Sequence, residues 1–171
     1  IQLFLGQRPL TTSLTMASGA ALSIVAGTMD LNGQNWTMTG ASFSNDGTLK
    51  LKGSETITGL TQDIDSGTWE YYGATGVPNS FAIKDFGATD YYHLTIVGTD
   101  STDVFQLAGA LVNASGSTMT VSGGTFSLNG QNWTMTSATL SNTATIQQIG
   151  SETITGLTQD IDSGTWVYAA T

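Results

Sequence analysis

Short stretches in which apolar and polar residues alternate recur along the whole chain, with centres about seven residues apart. Alternation with a period of two predicts β-strands, because successive side chains of a strand point to opposite faces. Glycine and asparagine separate the stretches, as in Asn32-Gly33 and Asn45-Asp46-Gly47. Both residue types turn a chain at low cost, because they tolerate positive φ. The sequence therefore predicts an all-β protein built from many short strands.

The chain carries one unit twice, with a shift of 97 residues. Residues 31–39 recur letter for letter as 128–136, and 31 of 42 positions agree between 31–72 and 128–169. Such a repeat is typical of array proteins. We assign unit 1 to residues 1–92, with an irregular excursion at 73–92, and a truncated unit 2 to residues 93–171. Since the chain starts and stops in the same part of the period, we expect a segment of a longer array.

Three strands and their turns make a coil of about 20–22 residues, and three apolar series follow this spacing. The series are Met16, Met38 and Ile57; Ile24, Phe43 and Ile64; and Leu31, Leu51 and Tyr71. Three parallel series predict a triangular parallel β-helix, or β-solenoid, in which equivalent residues stack about 4.8 Å apart. Tandem β-sandwiches are the alternative, because Asn-Gly pairs form hairpin turns and each unit has the size of an immunoglobulin domain.

Composition narrows the classes of partner. The net charge is −9, and the basic residues are Arg8, Lys50, Lys52 and Lys84. Nucleic acids and anionic membrane surfaces both require clustered Lys or Arg, so neither is expected as a partner. No apolar run has the length of a membrane span, so we expect no membrane insertion. There is no cysteine, and a hydrophobic content of 39% must supply the core that holds the chain together.

Two acidic motifs are candidate metal sites. Asp63 and Asp65 precede Ser66-Gly67, and Asp160 and Asp162 occupy the same place in the second copy. In an extended strand the two carboxylates project to one face while Ile64 enters the core. Carboxylate and hydroxyl oxygens are ligands for Ca²⁺, which is the hypothesis here, although the later acidic ligand of a calcium loop is missing. The alternative is a solvated turn, since Asp, Ser and Gly favour turns.

The four tryptophans recur with the repeat, and polar neighbours flank all of them except Trp166, which is followed by Val167. They are Trp36, Trp69, Trp133 and Trp166. This alternation favours rings that fill the core over an exposed platform for stacking sugars.

The sequence gives little support for a catalytic site. His93 is the only histidine, which excludes a multi-histidine metal site and a repeated His-based triad. Asp63 and Asp65 could form the pair of carboxylates that a glycosidase uses. The second unit carries the same pair, however, and an enzyme rarely needs two almost identical copies of its active site. We therefore predict that the protein is not an enzyme.

The segments 27–59, 66–73 and 91–98 resemble repeats of very large bacterial adhesin-like proteins of the cell surface or secreted space, related in style to filamentous haemagglutinins and polymorphic outer-membrane proteins. The resemblance rests on amino-acid composition and on the regular spacing of similar segments, and it covers nearly the whole chain. It implies a right-handed parallel β-helix and an extracellular or cell-surface location. We expect a non-enzymatic structural segment of a stalk or self-assembling filament, with copies of itself as partners. The alternative is an adhesin repeat that binds glycans or a host or cell surface.

Overall fold

The computed structural model describes residues 2–76 and 79–169, with side chains from Pro9 onward. Within these residues there is no helix, and the strands are short and numerous. They are β1 (Gln2–Pro9), β2 (Leu14–Thr15), β3 (Ala21–Asp30), β4 (Trp36–Thr37), β5 (Ser42–Asn45), β6 (Thr48–Leu51), β7 (Ile57–Thr58), β8 (Thr68–Tyr71), β9 (Ser80–Ile83), β10 (His93–Ile96), β11 (Val104–Leu107), β12 (Leu111–Val112), β13 (Thr118–Val121), β14 (Thr125–Ser127), β15 (Trp133–Thr134), β16 (Thr139–Asn142), β17 (Thr145–Gln148), β18 (Ile154–Thr155) and β19 (Thr165–Tyr168).

The predicted β-solenoid is confirmed. Strands of successive turns pair in parallel, as β6 does with β8 and β8 with β10, and the stack has about seven turns. The β-sandwich alternative is wrong. Asn32 and Gly33, with φ of 51° and 82°, turn the chain between β3 and β4. Because β4 pairs in parallel with β2 and β7, this Asn-Gly turn is a corner between two faces, not a hairpin.

The strands form three columns along the solenoid axis. Column 1 contains β1, the second half of β3, and then β6, β8, β10, β13 and β16. Column 2 contains β2, β4 and β7, continued by β9, β11, β14, β17 and β19. Column 3 contains the first half of β3 with β5, then irregular backbone near residues 63 and 90, and then β12, β15 and β18. The parallel sheet of column 1 therefore runs through the boundary between the two units.

The turns differ in length along column 1. Thr48 lies beside Thr68, and Thr118 lies beside Thr139, so these turns have the length that the sequence predicts. Two turns between them are longer, because Thr68 lies beside His93 and Leu94 lies beside Met119. The first long turn contains the excursion at 73–92, and the second contains the loop between β10 and β11.

The two copies of the repeat occupy different columns. Four turns carry column 1 from Thr48 to Thr139. The sequence counterpart of Thr48 is Thr145, which lies beyond Thr139 and belongs to column 2. In the same way, β5 lies in column 3 and its counterpart β16 in column 1. One repeat therefore spans four turns plus one face. Each repeat is rotated about the solenoid axis by one column relative to the repeat before it, which we call the one-column screw.

The core confirms one predicted apolar series and corrects the other two. Leu31, Leu51 and Tyr71 are all buried, and Leu51 lies beside Tyr71. Ile57, however, stacks on Trp36 instead of Met38. Ile24 lies beside Asn45, and Phe43 lies beside Leu22. The predicted spacing holds for the turns that these series span. A shift of two residues keeps a side chain on the same face, however, so an inside–outside pattern does not reveal it.

Candidate functional site

Asp63 and Asp65 lie in an irregular corner before β8. The prediction that Ile64 enters the core is wrong. The Ile64 side chain is 44% exposed, and that of Ile161 in the second copy is 90% exposed. Because the segment is not a strand, the alternation of side chains does not apply to it.

The corner fastens the end of the strand in the turn beneath it. Asp63 Oδ2 accepts a hydrogen bond from the backbone N–H of Asn45 at 2.7 Å, and the Ser66 hydroxyl donates to the Asn45 carbonyl at 3.0 Å. The Asn45 side chain is buried, and its Oδ1 accepts the Gly47 N–H at 3.2 Å. We call Asp63, Ser66 and Asn45 the Asp-Ser clamp. It satisfies both backbone polar groups of a residue at a corner.

The second copy builds the same clamp one column further round. The N–H of Asn142 donates to Asp160 Oδ2 at 2.7 Å, and the Ser163 hydroxyl donates to the Asn142 carbonyl at 2.8 Å. A Cβ at Gly164 would collide with Asn142, so only glycine lets the two turns approach this closely. The geometry is thus a property of the motif and independent of the column.

The paired carboxylates influence each other. The hydrogen bond and the negative charge of Asp63 raise the pKa of Asp65, and Asp160 raises the pKa of Asp162 in the same way. The hydrogen bond with Asp162, followed by the N–H of Asn142, lowers the pKa of Asp160. The lowered pKa keeps Asp160 ionised, which is the form in which both carboxylate oxygens accept hydrogen bonds.

The geometry does not provide a complete cation site. In the described ranges, no group of three or more acidic or histidine side chains is placed to hold a metal ion. Both oxygens of Asp63 face backbone N–H groups, that of Asn45 and, at 3.3 Å, that of Asp65. Calcium binding by Asp63 and Asp65, or by Asp160 and Asp162, stays a prediction.

We expect Asp63→Ala to lower the melting temperature equally in millimolar calcium and in chelator, because the N–H of Asn45 loses its acceptor. Asp65→Ala is the control, since the hydrogen bond of the Asp65 side chain with Ser66, at 3.5 Å, stays within the corner. Thermal melts of both variants in both solutions measure this. A calcium-dependent gain in the unaltered protein that both variants abolish would instead establish the metal site.

The tryptophans differ in their surroundings. Trp36, Trp69 and Trp133 are buried, whereas Trp166 in the last described turn is partly exposed. Trp133 Nε1 donates to Asn113 Oδ1 at 2.9 Å. Position 16, the counterpart of Asn113, is a methionine. Trp36 Nε1 is buried and has no hydrogen-bond partner in the described part of the chain.

We therefore expect Trp133→Phe to destabilise the protein more than Trp36→Phe, by about 1–2 kcal/mol. Both changes remove similar volume, but only Trp133→Phe leaves Asn113 Oδ1 buried without a partner. Urea unfolding of the two variants measures the difference. Equal losses would show that the hydrogen bond between Trp133 and Asn113 contributes nothing net.

Glu55 is a fully buried carboxylate, whose role the sequence did not reveal. Glu55 Oε1 accepts the N–H groups of Gly33 and Lys52, and Oε2 accepts that of Gly53, each at 2.8 Å. One side chain therefore joins two successive turns. The signal was the Gly-Ser-Glu triplet, which is kept in both copies although the four residues before it all differ.

Glu152, the counterpart of Glu55, binds the same kind of N–H groups in a more open setting. It accepts from Gly130 at 3.0 Å, Ile149 at 2.9 Å and Gly150 at 2.7 Å. Partial desolvation raises the pKa of Glu152, but these N–H groups together outweigh it and hold the pKa below its usual value.

Hydrogen bonds between two buried tyrosines attach the excursion to the core. The Lys84 N–H donates to the Tyr71 hydroxyl at 3.0 Å, and the Tyr91 hydroxyl donates to the Lys84 carbonyl at 2.7 Å. The two hydroxyls are 2.8 Å apart, so Tyr71 is the donor to Tyr91 and the ring of bonds is closed. Burial raises the pKa of both phenols and keeps them neutral.

Asp90 fixes the end of the excursion. It is buried and accepts the N–H groups of Phe86 and Val112, each at 2.7 Å, and burial raises its pKa. The backbone of Asp90 also serves the turn below, because Gln62 Nε2 donates to its carbonyl at 2.7 Å. This residue, like Glu55, was missed because a single Asp in a sequence carries no sign of burial.

The only histidine has a structural contact. His93 Nδ1 accepts the N–H of Thr118, one turn above, at 3.0 Å. Among the described residues, no helix has the length and apolar character needed to cross a membrane.

Comparison of the chain with protein-family models, with curated proteins and with solved structures finds no match.

Proposed function

We propose that the chain is a non-enzymatic structural segment of a long stalk or self-assembling filament. The observation that carries the proposal is the screw relation between the two copies. The same strands are built in different columns of one continuous stack, so the unit extends the solenoid wherever it is placed. Each turn pairs its backbone with the next and buries its apolar residues against it, which makes the solenoid grow along one axis.

The interior supports a mechanical role. Core residues of both copies lie in one cluster that runs from Met16 to Ile146. Polar clamps such as Glu55 and Asp63 add hydrogen bonds between neighbouring turns. A continuous core with cross-turn bonds gives a stiff rod, because no turn can bend without opening its neighbours.

An adhesin repeat that binds glycans or a cell surface is the second candidate. A row of exposed tryptophans would favour this candidate, but Trp36, Trp69 and Trp133 are buried, as the sequence predicted. An extracellular or cell-surface location is part of the proposal and rests on the resemblance to adhesin-like repeats. Copies of the chain are the proposed partners.

The stalk proposal predicts how length grows with the number of repeats. Thr171 is the counterpart of Ala74, so residues 75–171 can be appended once, twice or three times without breaking the period. Each addition is four turns and one face, and we expect the long dimension to increase by about 21 Å at a spacing of about 4.8 Å per turn. Small-angle scattering on the series measures this. Growth with the cube root of mass would contradict a rod.

A further inference from the structure

A shallow groove of about 690 Å³ runs along the side of the solenoid, at the corner where column 3 leads into column 1. We call it the corner groove; it is lined by residues 26–28, 46–48, 65–68, 92 and 93. It crosses four successive turns, because Thr28, Thr48, Thr68 and His93 lie side by side in register. Three turn spacings make it about 14 Å long. Because β1 lies beside the first of these turns and β13 beside the last, the groove is a lateral surface and not an end of the stack.

Glycine forms the floor of the corner groove in three of the four turns. Gly27, Gly47 and Gly67 directly precede the three threonines. Gly27 and Gly67 have φ of 82° and 70°, and a Cβ at Gly67 would collide with Asn45 in the turn below. Only glycine fits this position well, so the floor is bare backbone that a ligand can approach closely.

The backbone of the floor is already paired. The carbonyls of Gly47 and Gly67 accept the N–H groups of Thr68 and His93, at 2.8 and 3.2 Å. Each strand beside the groove has a neighbouring strand on both sides, so a polypeptide finds no strand edge to pair with. A ligand of the corner groove must therefore be recognised by side chains.

Hydrogen-bonding side chains line both sides of the floor. The hydroxyls of Thr28, Thr48 and Thr68 lie on the column 1 side, and the exposed carboxylates of Asp46 and Asp65 lie on the corner side. Among the described residues, no hydrogen bond engages the three hydroxyls or the Asp46 carboxylate. These groups are available to a ligand.

Two aromatic side chains close the upper end of the groove. The Tyr92 side chain is partly exposed, and its ring centroid lies 4.4 Å from that of His93. His93 Nδ1 accepts the N–H of Thr118, so the neutral imidazole carries its proton on Nε2. Within the described ranges, Nε2 has no hydrogen-bond partner and is a donor for a ligand.

These groups together fit a chain of sugars. Sugar hydroxyls donate to carboxylates and accept from hydroxyl and imidazole donors, and the apolar face of a sugar ring packs on an aromatic ring. Successive sugars of an extended β-linked chain are about as far apart as successive turns, so neighbouring sugars can meet equivalent groups of neighbouring turns. No lysine or arginine lines the groove in the described part of the chain, and the carboxylates of Asp46 and Asp65 repel acidic sugars. The chemistry therefore favours an uncharged glycan.

The second copy shows that the Asp46 carboxylate is not needed for the turn itself. Its counterpart there is Thr143. The N–H of Thr143 donates to the Val121 carbonyl at 2.8 Å, as the N–H of Asp46 donates to the Ile24 carbonyl at 2.7 Å. The same corner thus forms without the carboxylate, so Asp46→Thr removes a groove acceptor at a position where the fold accepts threonine.

We infer that the corner groove is a binding site for a linear, uncharged glycan. Asp46 and Asp65 accept hydrogen bonds from the sugar hydroxyls, His93 Nε2 donates to a sugar oxygen, and a sugar ring packs on Tyr92. A ligand on the side of the stack leaves growth along the axis untouched. The site therefore adds a binding function to the proposed structural one and does not depend on it.

The test uses the whole chain and three uncharged probes that differ in sugar and linkage: cellohexaose, mannohexaose and chitohexaose. His93 is the only histidine, so the NMR signals of its imidazole report on the groove alone. We expect at least one probe to shift these signals saturably and to give a Kd by calorimetry. Asp46→Thr, and Tyr92→Leu, which keeps apolar volume but loses the flat ring, should each weaken binding about tenfold. Thr143→Ala, at the place of Asp46 in the second copy, is the control and should change nothing.

No saturable shift with any of the three probes would overturn the inference. Binding that either groove variant leaves unchanged would place the glycan elsewhere and overturn it too. Binding of hexalysine without binding of the glycans would show that the carboxylates attract cations and not sugars, and equal binding of hexagalacturonate would contradict the selection for uncharged sugars. The lengthened chains are measured without a ligand, so constant growth per repeat would support the stalk even if the glycan site is wrong.

Discussion

Glu55→Ala is expected to reduce the free energy of unfolding by about 3–5 kcal/mol. The change removes the acceptor of three backbone N–H groups, on Gly33, Lys52 and Gly53. A buried donor left without a partner costs about 1–3 kcal/mol, and both the Glu55 side chain and its hydrogen bond with the Gly53 N–H are buried. Urea unfolding followed by far-ultraviolet circular dichroism measures the loss.

Glu152→Ala is the matched control, because Glu152 accepts the same three kinds of N–H group. It is partly exposed in the last described turn, so water can take its place and we expect a loss of about 1 kcal/mol. Equal losses at the two positions would mean that the buried bonds between turns add nothing to stability.

Trp36→Ala is expected to destabilise the protein by about 3–5 kcal/mol, as large core truncations do. The Trp36 ring has no exposed surface and meets Phe43 edge to face at 5.1 Å. It also lies between Leu14 below and Ile57 above, so its removal leaves a cavity across three turns.

Trp166→Ala, at the exposed end, is expected to cost clearly less than Trp36→Ala in the same urea titration, because its ring is only partly buried. A small loss for Trp36→Ala would show that the stack closes around the missing ring.

Much of the fold could be predicted from the sequence, because a solenoid repeats its inside–outside pattern in every turn. The parallel stack and most turn lengths followed from that pattern. The rotation by one column per repeat could not be predicted from that pattern. Alternation distinguishes inward from outward residues, but it does not say which of three similar faces a strand occupies.

The candidate sites were harder to predict for a different reason. Calcium binding by Asp63 stays a prediction, whereas the hydrogen bond from the Asn45 N–H in the turn below to its carboxylate was not foreseen. Glu55 and Asp90 are buried carboxyl groups, and burial is decided by segments distant in sequence. The sequence did contain one sign of these sites. The motif around Asp63 and the triplet ending in Glu55 are both unchanged in the second copy.

The one-column screw has a mechanical consequence for an array of these repeats. The two long turns that lead to β10 and β13 follow each other directly, with shorter turns on both sides, which makes the stack uneven around its circumference. Repeats stacked in phase would add this unevenness along one side and bend the rod into an arc. A rotation by one face per repeat moves it to each side in turn and cancels it after three repeats. Such an array would therefore be a straight rod that resists bending equally in every direction.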